Sequence, residues 1–473
     1  MDGRLRRPRE SILGMTLLLV MAGVAGPARA SFGAPGVVFE QLALRPDDRI
    51  LVLAPHPDDE VLGCAGVIQR ALAMGLPVRV VFLTYGDNNQ WSFAVYRRHP
   101  VIAPDAVRRM GMIRHDEALS AARALGLKPD QLVCLGYPDF GTLNIWTAHW
   151  GHEPAFESLL TRVRQVPYPN AYRSGAPYKG EEILGDLTAL LRAFRPTKVF
   201  LSHPADHNDD HRALYLFTRV AVWNLREEIR PTLHPYLVHF RRWPIPPGYR
   251  PEVATRPPRA LAGQMPWQRF PLTAKEAGTK LAAIRRHRTQ FGYSANYLLS
   301  FVRAGELFGD FPVVRLDPGA ELKTDELAES AGGEGEGPEE LTDEEQASFV
   351  GVEWRAARRE GDALILTIHL SRPLAKTVGL SLYAFGYRAD QPFENLPKIH
   401  LRFGALRHQI LDQFVLLPRD SVAIERTSNT INVRVPLALL GHPEKVLTSA
   451  RTYMGDVPLD WVSWRVLDLG SRR

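Results

Sequence analysis

Two short clusters of histidine and carboxylate side chains are the features of this sequence that could do chemistry. The first cluster is residues 56–60, which read HPDDE, and the second is residues 203–212, which read HPADHNDDHR. Each follows a run of mostly apolar residues that predicts a buried strand, at 50–54 and 198–201. Because open α/β sheets bind ligands at the carboxyl ends of their strands, we expect an active site there.

The residue types in the two clusters point to metal-assisted hydrolysis. His56, Asp59 and His211 can form a three-ligand zinc site with one position left for water, which is the composition of a catalytic zinc site. A bound cation lowers the pKa of water, so a neighbouring carboxylate can take the proton while the water attacks an acyl carbon. Asp58 is the predicted base, because it adjoins Asp59 but points elsewhere from a turn. The alternative for residues 56–60 is a solvated acidic turn.

The second cluster also offers polar groups for the oxyanion that forms during acyl transfer. Asn208, His203 and His207 are placed there to donate a hydrogen bond to it. The two histidines are predicted to contact the substrate. The alternative for a lone histidine is a structural role.

The elements that must position these clusters alternate between strands and helices. This alternation predicts a Rossmann-like, doubly wound α/β fold with a mostly parallel sheet. Further strands are predicted at 78–84 and 132–136, and helices at 67–74, 107–125, 183–194, 212–225 and 273–288.

A segment rich in aromatic residues, 142–180, interrupts this alternation. We expect it to form a wall of the substrate site, since loops on a rigid scaffold often carry specificity. The alternative is a structural flap over apolar surface. Its tryptophans and tyrosines are Trp146, Trp150, Tyr168, Tyr172 and Tyr178.

The motifs resemble those of a known enzyme family. Residues 54–66, which read APHPDDEVLGCAG, resemble the first motif of the LmbE-like (PIG-L) zinc-dependent deacetylases, and residues 203–212 resemble the second. Residues 114–117, 136–139 and 287–290 also resemble family positions, so the resemblance covers roughly residues 46–310.

The resemblance implies that the protein removes acetyl groups from N-acetylglucosamine-type sugars, often on a lipid or thiol conjugate. It implies one Zn²⁺ per chain, held by His56, Asp59 and His211, with Asp58 as the base. It also implies that Arg114 lies near the substrate, and we add Asp139 as a substrate contact. The alternative for Arg114 is an ordinary helix-surface pair with Glu117.

The sequence departs from the family at one position. Many members carry His-x-Asp-His in the second motif, and alignment on Asp210 and His211 puts Asn208 where the first of these histidines stands. Asparagine can donate a hydrogen bond but cannot shuttle a proton. Catalysis then relies on zinc and Asn208, or His207 or His203 substitutes. Asp210 is expected to orient that partner or His211.

The ends of the 473-residue chain predict export and a second domain. Residues 1–30 combine arginines, an apolar run and an Ala-Arg-Ala site, which predicts a signal peptide and a secreted or periplasmic protein; the alternative is an uncleaved anchor. Residues 31–316 form the predicted deacetylase domain. Residues 317–345, with twelve acidic residues and one lysine, predict a disordered linker. Residues 346–473 predict a β-sandwich accessory domain.

The accessory domain could bind glycans through exposed aromatic residues, although filling its own core is the favoured role for them. The aromatic residues concerned are Trp354, Tyr383, Phe385, Tyr387, Tyr453, Trp461 and Trp464. The net charge is +6, but the basic residues are scattered and form no nucleic-acid motif, so no nucleic-acid partner is expected. No further stretch is apolar and long enough to span a membrane after signal cleavage.

These features together predict an exported zinc-dependent hydrolase that removes the acetyl group of an N-acetylated amino sugar. The rival hypothesis is a non-catalytic glycan-binding protein of the envelope, in which the metal-binding loop has lost its catalytic function.

Overall fold

The computed structural model describes residues 39–88, 103–317, 341–455 and 457–470, which belong to one compact unit, Val37–Arg473. The predicted signal peptide at 1–30 and most of the predicted linker, residues 318–340, lie outside the described residues. No helix in the described parts of the chain is both long and apolar enough to cross a membrane.

The first part of the unit alternates strands and helices as predicted. Its strands are β1 (Phe39–Gln41), β2 (Ile50–Ala54), β3 (Val78–Thr84), β4 (Leu132–Tyr137), β5 (Lys198–Ser202), β6 (Thr232–Tyr236), β7 (Trp267–Pro271), β8 (Gly305–Gly309) and β9 (Val314–Arg315). Its helices are α1 (Asp59–Ala73), α2 (Pro104–Leu125), α3 (Thr142–Ala148), α4 (Gly180–Phe194), α5 (Asp209–Asn224), α6 (Ala274–Ile284) and α7 (Arg288–Leu299).

Eight of these strands form one mostly parallel sheet, in the order β1-β7-β8-β6-β5-β2-β3-β4. Only β8 runs antiparallel to its neighbours β6 and β7. The chain moves outward from β2 through β3 to β4, then returns to the other side of β2 with β5. The pair β2 and β5 is therefore the switch point of the sheet, where ligands bind in this architecture.

Both faces of the sheet are covered, because the side chains of a strand alternate between its faces. In β2, Ile50 and Val52 pack in one hydrophobic cluster with α1 and α2, whereas Leu51 and Leu53 pack in a second cluster with α4 and α5. All five residues of β2 are buried. The predicted doubly wound α/β fold is confirmed.

All five helix predictions were wrong at one or both ends. Helix α1 begins at Asp59 rather than at residue 67, and α5 begins at Asp209 rather than at 212. The polar clusters suggested loops, but Asp, Asn and Glu are favoured at the cap and first turn of a helix. The single helix predicted at 273–288 is two helices, α6 and α7, and α6 begins with a capping box between Thr273 and Glu276.

Among its described residues, the C-terminal part is β-stranded apart from one short α-helix, α8 (Asp343–Ala347), and three short 3₁₀-helices. Its strands are β10 (Val352–Glu360), β11 (Ala363–Leu370), β12 (Val378–Tyr387), β13 (Lys398–Phe403), β14 (His408–Asp412), β15 (Val415–Leu416), β16 (Ala423–Arg426), β17 (Thr430–Pro436), β18 (Lys445–Met454), β19 (Val457–Trp461) and β20 (Arg465–Asp468). They form two sheets, β10-β11-β17-β16 and β15-β14-β13-β12-β18-β20-β9, with β19 paired to β18. All pairs are antiparallel except β20 with β9. Apolar residues of both sheets share one cluster.

The two parts of the unit are joined by a common core. Trp146 of α3 packs against Phe385 of β12 at 5.9 Å between ring centroids, and against Trp464 at 6.3 Å. Strand β9, within the range predicted for the first domain, pairs with β20 of the C-terminal sheet. Helix α8 begins inside the predicted linker and ends two residues beyond it, and Thr342 and Glu345 form a capping box at its start. The exact domain limits stay a prediction.

Candidate metal centre and active site

Both clusters lie at the switch point of the sheet, each at the first turn of a helix. Residues 55–58 connect β2 to α1, and residues 203–208 connect β5 to α5. Because β2 and β5 are parallel neighbours, their carboxyl ends bring the two loops together.

His56, Asp59 and His211, referred to below as the ligand group, converge on one point. The Oδ2 atom of Asp59 lies 3.2 Å from Nδ1 of His56 and 3.1 Å from Nε2 of His211. All three side chains are buried, and one potential ligand atom from each lies within 4.8 Å of the others. The structure thus brings together the three residues that the sequence predicted as metal ligands.

The second ring nitrogen of each ligand histidine faces a carboxylate. Nε2 of His56 lies 3.1 Å from Asp139 and 3.2 Å from Asp210. Nδ1 of His211 lies 3.1 Å from Asp206. Such outer carboxylates fix the tautomer and orientation of metal-binding imidazoles.

The position of Asp210 corrects the sequence-based expectation. Asp210 was expected to orient Asn208 or His211, but its carboxylate contacts His56 and also accepts hydrogen bonds from Thr142 and the backbone amide of Phe140. The residue beside His211 is Asp206, to which sequence reasoning gave no role. The only signal in the sequence for this role was that Asp206 is an acidic residue in the same cluster as His211.

Asp206 organises the second loop around His211. Its Oδ2 accepts hydrogen bonds from the backbone amides of Val238 and His239, both at 2.9 Å, and its Oδ1 accepts one from Asn208. Burial alone would raise the pKa of Asp206, but His211 and these donors hold it well below the usual range. The carboxylate is therefore ionised.

Without a cation, protons would have to balance these carboxylates. Burial lowers the pKa of His211, but Asp206 and Asp59 outweigh it and raise the pKa to about 9. Both ring nitrogens of His211 are buried, and neither makes a hydrogen bond of good geometry with any described residue. A divalent metal ion can replace these protons, because imidazole and carboxylate are suitable donors for it. The residues present therefore fit a metal ion.

Asp58 lies beside the ligand group with its side chain free of the helix. It occupies the N-cap of α1 at φ 133°, a strained backbone conformation for a residue with a side chain, and makes no side-chain cap hydrogen bond. Burial raises the pKa of Asp58 to about 6, although Arg114 lowers it. Asp58 lines the same cavity as His56 and Asp59, where a base is needed.

Arg114 ties two loops of the site together. Its guanidinium donates to the backbone oxygens of Pro57 and Gly86, both at 2.8 Å, and lies 3.5 Å from Asp58. The helix-surface pair with Glu117 does not form, because Glu117 instead accepts hydrogen bonds from Thr289. Arg114 therefore positions the loop that carries Asp58.

A cavity of about 740 Å³ opens over the ligand group. This volume lies within the range of small-molecule sites. The lining residues are His56, Asp58, Asp59, Leu62, Asn88, Arg114, Asp139, Phe140, Asn208, His239, Gln290, Tyr293, Ser294, Tyr297 and Leu298.

Some residues predicted to contact the substrate or the oxyanion lie at the cavity, and others do not. Arg114, Asp139 and Asn208 line it, and Asn208 also caps α5 by accepting from the amide of Asp210 at 2.8 Å. His203 is fully buried, stacks on Trp267 and lies 3.1 Å from the sulfur of Met265. His207 packs on Phe240. Neither histidine belongs to the cavity lining.

The aromatic segment at 142–180 contributes no described residue to the cavity lining. Of its five tryptophans and tyrosines, Trp146, Trp150, Tyr168 and Tyr178 are buried, and Tyr172 is exposed. The expected substrate wall is wrong for these side chains, and the structural alternative describes them. The aromatic side chains at the cavity are Phe140 and two tyrosines of α7, which sequence reasoning missed.

Comparison with models of known families shows which family these residues match. Residues 51–222 match the family model described as PIG-L, GlcNAc-PI de-N-acetylase. The chain contains a PIG-L family domain. The matched residues include both clusters, and the predicted family resemblance is confirmed.

Curated relatives of this PIG-L domain carry one name, 1D-myo-inositol 2-acetamido-2-deoxy-alpha-D-glucopyranoside deacetylase. The relative from Actinosynnema mirum is 28% identical over 33% of this chain and 48% of its own length. The relative from Saccharopolyspora erythraea is 31% identical over 40% of this chain and 58% of its own length. The chain thus spans about half the length of the first of these relatives.

Solved structures of similar chains include N,N'-diacetylchitobiose deacetylase from Pyrococcus horikoshii. It is 21% identical, with a TM-score of 0.34 over 55% of this chain and 82% of that one. A deacetylase of teicoplanin biosynthesis is 16% identical, with a TM-score of 0.36 over 55% of this chain and 96% of that one.

The PIG-L match ends before several residues of the cavity. His239 follows β6, and Gln290, Tyr293 and Tyr297 lie on α7, all beyond residue 222. A part of the cavity wall is therefore built by residues that the family model does not cover.

Proposed function

We propose that this protein is a zinc-dependent hydrolase that removes the acetyl group from an N-acetylated amino sugar. The observation that carries the proposal is the convergence of His56, Asp59 and His211 beside a cavity that His56, Asp59 and Asp58 line. The names of the relatives and the PIG-L match support an amide of an amino sugar as the substrate.

A zinc ion in the ligand group supplies Lewis acidity and lowers the pKa of water. Asp58 takes the proton of the attacking water and passes it to the nitrogen that leaves. The acyl C–N bond breaks, a C–O bond forms, and the products are acetate and a free amine. The side-chain amide of Asn208 is the group from the second cluster that faces the cavity, and it donates to the oxyanion.

The walls of the cavity suit a sugar ring. Polar groups of Arg114, Asn88 and Gln290 can bind hydroxyl groups, while the ring of Phe140 offers an apolar face. Because Asp139 lies 3.1 Å from His56, it serves the metal ligand as well as the cavity wall.

Export to the periplasm or beyond belongs to the same proposal and is supported by the composition of residues 1–30. A glycan of the cell envelope is then the natural source of the substrate. Glycan binding by the C-terminal sheets remains a prediction, and four of the aromatic residues considered for it, Tyr383, Phe385, Tyr387 and Trp464, are buried.

Acetate release is the experiment that tests the proposal. Purified protein is incubated with N-acetylglucosamine oligosaccharides and with an N-acetylglucosaminyl inositol, before and after treatment with a chelator and again after zinc is restored. We expect acetate release that the chelator abolishes and zinc restores. Sugar binding without acetate release under all conditions would favour the non-catalytic rival.

A further inference from the structure

His239 lies at the same edge of the sheet as the ligand group but belongs to a third loop. It follows β6, which is the parallel neighbour of β5, so the carboxyl ends of the two strands meet. The side chain of His239 lines the cavity, as Asn208 does. Nothing in the sequence around residue 239 marks it as a site residue.

The imidazole of His239 is close enough to share an ion with the ligand group. One of its ring nitrogens lies within 4.8 Å of potential ligand atoms of His56, Asp59 and His211, and they lie equally close to one another. The centroids of the His239 and His211 rings are 4.8 Å apart, at 73° between the ring planes. The corresponding distance from His56 to His211 is 5.2 Å.

The backbone of His239 is held by the same residue that supports His211. The amide of His239 donates to Oδ2 of Asp206 at 2.9 Å, and this oxygen also lies 3.1 Å from Nδ1 of His211. The carbonyl of His239 accepts a hydrogen bond from the amide of His207 at 2.7 Å. Asp206 therefore fixes the relative positions of His211 and His239.

The ring of His239 has an outer partner, as the two ligand histidines do. Its Nδ1 lies 3.4 Å from the hydroxyl of Tyr297, whose ring is nearly parallel to the imidazole. Because the Tyr297 hydroxyl donates to the carbonyl of Val238 at 3.0 Å, it can only accept from the imidazole. This contact favours a proton on Nδ1 and a lone pair on Nε2, which is the neutral form that binds metals.

We propose that His239 is a fourth protein ligand of the metal ion, so that three imidazoles and one carboxylate hold it. This inference rests on the metal site of the proposed function and adds a ligand from outside residues 51–222. In this chain Asn208 stands where many family members carry a histidine in the second motif. His239 supplies an imidazole to the metal site from another loop. Zinc can expand to five ligands, so a position for water remains.

X-ray absorption at the zinc edge tests this ligand count on the intact protein. The zinc-loaded wild-type chain is expected to show scattering from three imidazoles. Two imidazoles on a bound zinc would overturn the role of His239 and leave the proposed function standing. A chain that binds no zinc at all would overturn both.

Zinc affinity provides the second test, measured by competition with a chromogenic chelator. We expect His239→Ala to weaken zinc binding by at least about tenfold, since loss of a mere outer partner of a metal ligand already costs about 10 to 100-fold. The control is His234→Ala, which removes a buried imidazole of β6 that bonds Gln268 instead. Equal zinc affinity in His239→Ala and wild type would overturn the inference. The number of imidazoles around zinc is measured by X-ray absorption on the wild-type protein, so that test does not depend on whether a variant folds.

Discussion

Asp58 has a geometry that a purely structural carboxylate would not need. Its backbone is strained at φ 133°, its amide donates to Glu60 at 3.0 Å, and its side chain makes no cap hydrogen bond to α1. Strained backbone at a functional site persists when the surroundings hold it in place, and here Arg114 bonds the preceding carbonyl of Pro57. We infer that the strain serves to aim the carboxylate at the cavity.

Replacing Asp58 separates chemistry from metal binding. We expect Asp58→Asn to lower kcat by about 10² to 10⁴-fold, which is the usual contribution of a general base, while zinc content stays at the wild-type level. His211→Ala is the contrasting variant and is expected to lose both zinc and activity. A kcat of Asp58→Asn within a few-fold of wild type would remove Asp58 from the mechanism.

At this scale the sequence predicted the residues that sit within its two motifs. His56, Asp58 and Asp59 are neighbours in the chain, and His211 stands in a cluster of the same composition. Asp206 lies near His211 in the chain, but its spacing did not distinguish it from the other acidic residues of the second cluster. His239 could not be assigned, because its role depends on contacts between separate loops. Chain spacing carries no information about such contacts.

The guanidinium of Arg114, which packs on Gly86, holds the loops after β2 and β3 together. Gly86 has φ +62°, and a Cβ at this position would lie 2.2 Å from Nη1 of Arg114. The carbonyl of the same glycine accepts from that nitrogen at 2.8 Å. A side chain here would therefore push Arg114 away from the loop that carries Asp58.

Gly86→Ala is expected to impair both stability and activity. Gly75 is the matched control, because its φ is +71° and nothing lies within 4 Å of an added Cβ. Gly75→Ala should cost only the backbone penalty of about 1–2 kcal/mol in the free energy of unfolding. Gly86→Ala should cost about 1–3 kcal/mol more through overpacking, and should lower kcat/KM at least tenfold. Denaturant unfolding and acetate release measure the two effects, and equal behaviour of both variants would contradict the role of Arg114.

His203 belongs to the packing of the loop after β5 rather than to the cavity. Its Nδ1 accepts a hydrogen bond from the amide of Ala205 at 3.0 Å. Burial lowers the pKa of His203 to about 3, from the ordinary value of 6.5. The folded protein thus keeps this imidazole neutral under conditions in which the unfolded chain protonates it.

This difference predicts how stability depends on pH. Because the folded pKa is depressed, the contribution of His203 is complete above pH 6.5 and is lost as the pH falls from 6.5 towards 3, by up to about 1.4 kcal/mol per pH unit. His203→Asn keeps an acceptor for Ala205 and does not titrate. Its free energy of unfolding should therefore fall less steeply than that of wild type between pH 6.5 and 4. Parallel curves for the two proteins would contradict the buried, neutral histidine.

At the scale of the whole molecule, Trp461 of the C-terminal sheets contacts Arg212, which supports the metal loop, residues 203–208. The Trp461 ring of β19 lies between the guanidinium groups of Arg212 and Arg451, each 4.6 Å from its centroid. Arg212 in turn donates to the backbone oxygen of Asp206 at 2.6 Å. The C-terminal part therefore helps to hold the loop that positions His211.

Trp461→Ala is expected to weaken zinc binding about 2 to 30-fold, because a cation–π contact contributes about 0.5–2 kcal/mol. Trp354→Ala is the control, since Trp354 stacks on His369 of the neighbouring strand and makes no contact with the metal loop that the described residues record. Chelator competition measures both variants. Identical zinc affinities for Trp461→Ala and wild type would show that the C-terminal part does not support the metal loop.

The sequence predicted the two parts of the molecule better than their connection. Runs of mostly apolar residues predicted β2 and β3 with correct bounds, because composition is a local property. The shared core of Trp146, Phe385 and Trp464 could not be predicted, because an aromatic residue at a contact and one exposed for sugar binding have the same local pattern.

The central claim is that one divalent ion lies between the loops after β2 and β5, held by His56, Asp59 and His211. A crystal structure of the zinc-loaded protein, with diffraction recorded on both sides of the zinc absorption edge, tests it most directly. The account predicts one anomalous peak within bonding distance of all three side chains. A peak elsewhere, or no peak in a protein that has been supplied with zinc, would contradict it.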